Sequence, residues 1–210
     1  MLIVGAKGFA KEVLEVFLRL KKGEDVVFYD DVNDDIGDLL YGRFPILKNK
    51  DQATLYFLEN GSKFSIGIGN PHLRHKLYIK FSAIGGELTS IISPEASIGS
   101  FDIVIGDGCN VLNNVIFSNS TSIGKGCIVY YNVTITHDCI VGDFVELSPG
   151  ATLLGGCHIG SFSTIGSNAT ILPRVKIGKN VIIGAGAVVN RNVPDNCIAV
   201  GVPAKVIKHL

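Results

Sequence analysis

The chain has no excess of charge of either sign: nineteen lysines and arginines stand against nineteen aspartates and glutamates in 210 residues. A neutral chain lacks the basic field that nucleic acid demands, so that partner is set aside. No apolar run approaches the roughly 18 residues needed to cross a bilayer, which argues against membrane insertion. The opening MLIVGAKGFAKEV has too short an apolar run for a signal peptide, and a cytoplasmic protein is expected. None of the five cysteines forms a CxxC pair, so neither zinc nor any other metal is expected.

What the chain has instead is a repeat. Fifteen consecutive positions six apart, from Ile105 through Val111, Phe117 and Ile123 to Ile183 and Val189, are all large and apolar. Two residues before each, the side chain is apolar or small, and Cys109, Cys127, Cys139 and Cys157 fall in that slot. There they read as small inward hydrophobes. A period of six is neither the 3.6 of a helix nor the alternation of a lone strand, and it belongs to the hexapeptide β-helix class. Gly106, Gly124, Gly142, Gly160 and Gly178 recur every eighteen residues, which predicts a three-walled column with a glycine at a recurrent corner in positive φ. Counted from Ile105 to Pro194, the repeat gives five coils and a column roughly 24 Å tall at about 4.8 Å per coil.

The N-terminal part reads differently. Leu2-Ile3-Val4 is a short buried strand, followed by the Gly5-Ala-Lys-Gly8 turn and a helix with Phe9, Val13, Phe17 and Leu20 on one face. A second strand over Val26–Tyr29 ends in Asp30-Asp31, and Asp30 lies 22 residues after Gly8. That succession opens a nucleotide-binding α/β fold, in which the acid accepts from ribose hydroxyls or a base edge. The pattern is GxxG and not GxGxxG, so a turn that merely joins strand to helix is the competing reading. Further strands are expected near Phe44–Leu47 and Phe64–Gly69, helices over Gln52–Leu58 and Pro71–Ala83, and a closing strand over Leu88–Ile92. Lys7-Gly8-Phe9, Asp30-Asp31 and Gly69-Asn70 then converge at the carboxyl ends of three strands, where open parallel sheets bind ligands. With only about ninety residues ahead of the column, this part holds one nucleotide and not a dinucleotide. Arg74 is a candidate to reach a phosphate, and a solvated helical arginine is the favoured reading.

Within the repeat only His137 and His158 offer imidazoles, and no HxxxxH pair occurs, which argues against a histidine-ligated carbonic anhydrase of this fold. His137 lies two residues past an inward position, near a corner and facing outward. Asp138 beside it would hold its tautomer and raise its basicity. Adjacent strand residues point to opposite sides, so that pairing requires the chain to turn there.

The segments VGAKGFAKEV, FYDD, IGIGNPHLRHKLY, ITHDCIVGDFVELSPGATLLGG, IGAGAVV and GVPAKVIK together resemble the sialic acid O-acetyltransferase (NeuD) family of left-handed β-helix acyltransferases. Close relatives of that family are PglD-like and perosamine N-acetyltransferase-like enzymes acting on nucleotide-linked amino sugars. The resemblance covers essentially the whole chain. It implies a Rossmann-like sugar-nucleotide domain over 1–92 and a left-handed parallel β-helix with a C-terminal tail over 93–210. It further implies acetyl-CoA as co-substrate, a homotrimer, and active sites between adjacent columns. Carried over residue by residue, His137 matches the general base and Asp138 the acid behind it. Lys7, Gly8, Phe9, Asp30, Asp31 and Gly69 match sugar-nucleotide contacts, and Glu146, Ser167 and Ala185 match acetyl-CoA contacts.

Two positions depart from the family pattern: it carries histidine where Phe9 and Glu146 stand. A carboxylate at 146 would repel a developing oxyanion unless protonated, and an ordinary solvated glutamate is the competing reading. The expected activity is transfer of an acetyl group to the amine of a nucleotide-linked 4-amino-4,6-dideoxy sugar. The alternatives are O-acetylation of a sialic acid or related sugar, and a non-catalytic nucleotide-binding subunit. Lys205, Lys208, Arg174 and Arg191 are candidates for CoA phosphates.

Overall fold

The computed structural model describes residues 1–20 and 25–210. In chain order the N-terminal part contains β1 (Leu2–Val4), α1 (Gly8–Leu20), β2 (Val27–Tyr29), β3 (Leu39–Leu40), β4 (Phe44–Leu47), α2 (Lys50–Asn60), β5 (Lys63–Ile66), α3 (Pro71–Ser82) and β6 (Glu87–Leu88). The six strands form one sheet in the order β3-β4-β2-β1-β5-β6, parallel throughout except for the β3–β4 pair. β1 is apolar at every position because both of its faces are covered. Ile3 joins Phe28 beneath α1, whereas Leu2 and Val4 join Tyr29, Phe64 and Ile66 on the side of α2 and α3. Asn49 and Asn70 start α2 and α3 by accepting from the backbone N–H groups of Gln52 and Leu73.

The repeat folds into three walls of parallel two-residue strands. The first wall stacks the strands at 91–92, 110–111, 128–129, 146–147, 164–165 and 182–183, and continues into the antiparallel pair Cys197–Gly201 and Ala204–His209. The second runs from 97–98 to 188–189, and the third from 104–105 to 176–177. Within the repeat each strand pairs with the one eighteen residues on, as in Ser122↔Ile140 and Glu146↔Thr164. In the first coil the offset of two walls is nineteen (Ile91↔Asn110, Ser97↔Ile116), which places the extra residue of the Ile98-to-Ile105 step at that corner. Val111, Ile135, Leu147, Ile165 and Ile183 fill the interior together with the four cysteines of the repeat, which are free thiols with no exposed surface. Among the described residues no helix is long and apolar enough to cross a membrane.

Three expectations change. The stretch over Leu88–Ile92 does not close the α/β sheet as one strand: Glu87–Leu88 pairs with β5, whereas Ile91–Ile92 pairs with Asn110–Val111 and begins the column two strands before Ile105, in the same first coil. The recurrent glycines are not the positive-φ residues. Left-handed backbone falls two positions later, at every sixth residue from Asp102 through Gly108, Asn114 and Asp138 to Asn180 and Gly186. Gly106, Gly124, Gly142, Gly160 and Gly178 are glycines because the coils approach too closely there for a side chain. A Cβ on Gly160 would meet the carbonyl carbon of Gly178 at 2.4 Å, and one on Gly124 that of Gly142 at 2.6 Å. Arg74 is not solvated: it is 1% exposed, and its place is described with the site.

These two kinds of glycine respond oppositely to substitution. Gly160→Ala forces two coils apart and is expected to cost about 2 kcal/mol or more. Gly186→Asn, at φ 68 with open space around it, is expected to stay within about 0.5 kcal/mol of the parent. Chemical denaturation midpoints of the two purified variants check both.

Candidate active site

The corner between the second and third walls carries Thr136-His137-Asp138. Asp138 adopts φ 60, and this left-handed turn brings two adjacent side chains to the same side, which a strand does not allow. His137 Nδ1 and Asp138 Oδ2 lie 2.7 Å apart, with both side chains about two-thirds exposed (67% and 65%). A carboxylate only accepts, so Nδ1 carries the hydrogen and Nε2 presents its lone pair outward. The ring lies over the backbone of Gly155, where a Cβ would sit 2.7 Å from Nε2. His137, Asp138, Gly155, Gly156, Pro173 and Arg174 line one open cleft.

A second cavity, of about 160 Å³, opens at the carboxyl ends of β1, β2 and β5, between Gly5, Tyr29, Asp30, Asp31, Asn33, Ile68, Leu73 and others. The two aspartates are placed differently. Asp30 is buried and clamps its own loop, accepting from the N–H groups of Ala6, Val32 and Asn33 and from the Asn33 amide at 3.0–3.3 Å. Asp31 accepts from Lys80 Nζ at 2.6 Å and from the Tyr29 hydroxyl at 2.7 Å. Burial alone would raise its pKa, but Lys80 and then Tyr29 outweigh it and hold the carboxyl below its usual range. Lys7 pairs with exposed Asp35 at 2.7 Å, and Gly8 begins α1. Phe9 turns away from this cavity and packs on Tyr130 of the column, ring centroids 5.0 Å apart.

Gly69, in the turn between β5 and α3, looks toward the column. A Cβ there would lie 3.7 Å from Glu146 Oε2. Glu146 stands on the first wall, and its other oxygen accepts from Ser148 at 3.3 Å. Burial raises the Glu146 pKa against the pull of Arg74. Ser167 and Ala185 occupy successive coils at the corner between the first and second walls, where Gly186 N–H donates to the Ser167 carbonyl at 2.8 Å. The structure therefore brings Gly69 and Glu146 together, and stacks Ser167 beside Ala185. His137 stands on a different edge of the column from both groups.

Arg74 is the residue that sequence reasoning placed wrongly. Its guanidinium donates to the carbonyls of Gly126 (3.0 Å), Phe144 (2.7 Å) and Val145 (3.1 Å) on the column, and to that of Gly69 in its own segment. A cation surrounded by carbonyl oxygens keeps its charge satisfied away from water. The signal was present, because Arg74 sits with Pro71 and Phe81 on the buried stripe of α3.

Comparison with known proteins agrees with this anatomy. The PglD N-terminal domain model matches residues 1–81, and the bacterial transferase hexapeptide model (six repeats) matches 138–172 and 156–191. PerB from Caulobacter crescentus, solved in complex with CoA and GDP-perosamine, is 32% identical, with TM-score 0.89 over 99% of this chain and 96% of that one. This chain belongs to the hexapeptide-repeat acetyltransferases with a PglD-type N-terminal domain. The acetyltransferase domain of PglB from Neisseria gonorrhoeae, solved with acetyl coenzyme A, is 31% identical, with TM-score 0.86 over 98% of each chain. WeeI from Acinetobacter baumannii is 29% identical, with TM-score 0.88 over 98% of each. A search of curated protein sequences returns no match.

Two predictions test the electrostatics of this acetyltransferase. Arg74→Met removes a donor from four carbonyls, of which, among the described residues, only that of Val145 keeps another, the Ile128 N–H, and is expected to cost about 3 kcal/mol in urea denaturation. Because the fold raises the Glu146 pKa, ionising that carboxyl costs stability above the ordinary glutamate range and nothing below it. Glu146→Gln is therefore expected to raise the unfolding midpoint relative to the parent at about pH 8, and the gain should vanish at about pH 4. A gain equal at both pH values would place the effect elsewhere.

Proposed function

We propose that this acetyltransferase moves the acetyl group of acetyl-CoA to the amine of a nucleotide-linked amino sugar of the 4-amino-4,6-dideoxy type. The observation that carries this reading is the outward Nε2 of His137, whose Nδ1 is held by Asp138. As the amine nitrogen attacks the thioester carbonyl, Nε2 takes its proton. The tetrahedral adduct then collapses, the carbon–sulfur bond breaks, and the imidazolium returns the proton to the departing CoA sulfur. Base assistance of this kind contributes about 10²–10⁴-fold, and alignment of the two substrates supplies much of the remainder. The repeat cysteines take no part, being sealed inside the column.

In this reading the N-terminal α/β unit is a Rossmann-like holder for one nucleotide. Lys7, Gly8, Asp31 and Gly69 face the sugar nucleotide, while Asp30 shapes the loop and Phe9 fixes α1 to the column. Glu146, Ser167 and Ala185 belong to the acetyl-CoA side, the latter two through their backbone groups. Since His137 lies on another edge from Ser167 and Ala185, one chain does not complete the site. A homotrimer of left-handed columns brings such edges together, and PerB and the PglB domain support the choice of ligands, having been solved with CoA and GDP-perosamine and with acetyl coenzyme A.

The purified protein, given acetyl-CoA with UDP- or GDP-linked 4-amino sugars, is expected to release free CoA thiol. His137→Ala should lower kcat by about 10²–10⁴-fold with both KM values nearly unchanged. Asp138→Asn should lower kcat less, since the imidazole stays in place. Unaltered turnover in His137→Ala would remove this residue from the mechanism. Thiol release with a sialic acid and with no amino sugar would replace N-acetylation by O-acetylation.

A further inference from the structure

The cleft beside His137 contains a cation that the proposed chemistry does not use. Arg174 stands on the same edge as His137, two coils further along, and lines the same opening. Its stem folds back toward the histidine, with Cγ 3.5 Å from the place a Cβ would take on Gly156. Gly155 and Gly156, on the coil between them, carry no side chains that could separate Arg174 from the dyad. Among the described residues its side chain has no hydrogen-bond, ion-pair or ring partner, and Arg174 is exposed. Asp138 does not neutralise it, because that carboxylate is turned to His137 Nδ1.

The backbone sharpens the point. Arg174 occupies one of the left-handed corners, at φ 63. Most of these corners hold Gly, Asn, Asp or Ser, and only Phe144, Phe162 and Arg174 place a large side chain there. Such residues resist this conformation. For the two phenylalanines the compensation is visible: Phe162 stacks on His72 with centroids 5.1 Å apart, and Phe144 lies 5.0 Å from His75. Arg174 has no equivalent within the chain. Of the cations named from sequence, Lys205, Lys208 and Arg191 are absent from this cleft.

We infer that Arg174 is a substrate-binding residue that holds a phosphate of the ligand reacting at His137. Its planar fork suits a phosphate's paired oxygens. Both proposed substrates carry a diphosphate. In a nucleotide-linked amino sugar it is one pyranose ring from the reacting amine, whereas in CoA it is a whole pantetheine arm from the sulfur. Arg174 and His137 line one cleft two coils apart, about 10 Å at about 4.8 Å per coil, which is shorter than a pantetheine arm and favours the sugar diphosphate. This inference rests on the acetyltransferase reading above, and its test is a binding measurement that needs no turnover.

Affinities of wild type and Arg174→Gln for CoA, UDP and GDP are measured by calorimetry on the full chain at two salt concentrations. The substitution is expected to weaken one class of ligand by about tenfold or more, with a shallower salt dependence, as loss of a charge-assisted contact requires. Weakened UDP or GDP binding assigns the contact to the sugar nucleotide, and weakened CoA binding assigns it to the acyl donor. Either result supports a phosphate contact. Affinities within twofold of wild type for all three, or no binding of any of them to wild type, would overturn it. An unchanged unfolding midpoint confirms that Arg174→Gln is folded. Should the ligands bind wild type while no acetyl transfer occurs, the failure belongs to the proposed reaction and not to Arg174.

Discussion

The left-handed turn at every sixth residue is the constraint on which the rest depends. Three two-residue strands close into a coil only if the chain bends sharply between them, and each bend from Asp102 to Gly186 uses one residue of positive φ. The bends keep the strands of successive coils in register, so that Gly124 N–H reaches the Val141 carbonyl and Gly142 N–H that of Ile159, both at 2.8 Å. The same geometry makes the His137–Asp138 pair. In an extended strand His137 and Asp138 would point apart, whereas the turn at Asp138 puts both outside the column within hydrogen-bonding distance. A feature needed for architecture thus sets the direction of the imidazole.

Attachment of the α/β unit follows from a second constraint, the need to satisfy polar groups that the interface buries. Ser65 at the end of β5 donates to Asn110 on the first wall, whose amide donates to the Ile66 carbonyl, both contacts at 2.9 Å. Arg74 adds its carbonyl contacts, and α1 lies between the sheet and Ile91, Leu112 and Ile128. Buried polar contacts of this kind fix orientation, because a shifted interface would leave each group unpaired. The turn after β5, which carries Gly69, is thereby held above Glu146. The ends of β1 and β2 are held with it, since they share the sheet of β5.

The column was legible because its signal is repeated: one apolar position in every six specifies three walls whatever any single coil does. The strand–turn–helix opening was legible because β1 is buried on both faces and α1 is apolar on the sides it turns to the sheet and to the column. What could not be read came from contacts between elements distant in sequence. The stripe of α3 marks Arg74 as buried but not what satisfies it, since its acceptors on the column lie 52 to 71 residues away. The recurrent glycines were assigned a dihedral reason when the actual one is the closeness of the next coil, which no single coil reveals. Asp30 and Asp31 are equivalent in the sequence, and only the fold gives one to the loop backbone and the other to Lys80. The His137–Asp138 pairing had a stated condition, a turn at that point, and Asp138 meets it.

The two departures from the family pattern, Phe9 and Glu146, are explained together by Tyr130. Phe9 packs against its ring, and both burial and the nearby Glu146 carboxylate push the tyrosine hydroxyl well above its ordinary pKa. Phe9 is 8% exposed, so a histidine placed there would lose water and need a hydrogen-bond partner. A glutamate at 146 tolerates its partly buried site because Arg74 is near and Ser148 donates to it. The two positions thus act on one tyrosine, Phe9 by packing on its ring and Glu146 by its charge. Restoring histidine at either position alone would place an imidazole among groups arranged for the present residues. The pair should therefore be exchanged together in any comparison with relatives, because residues that share a neighbour do not contribute independently.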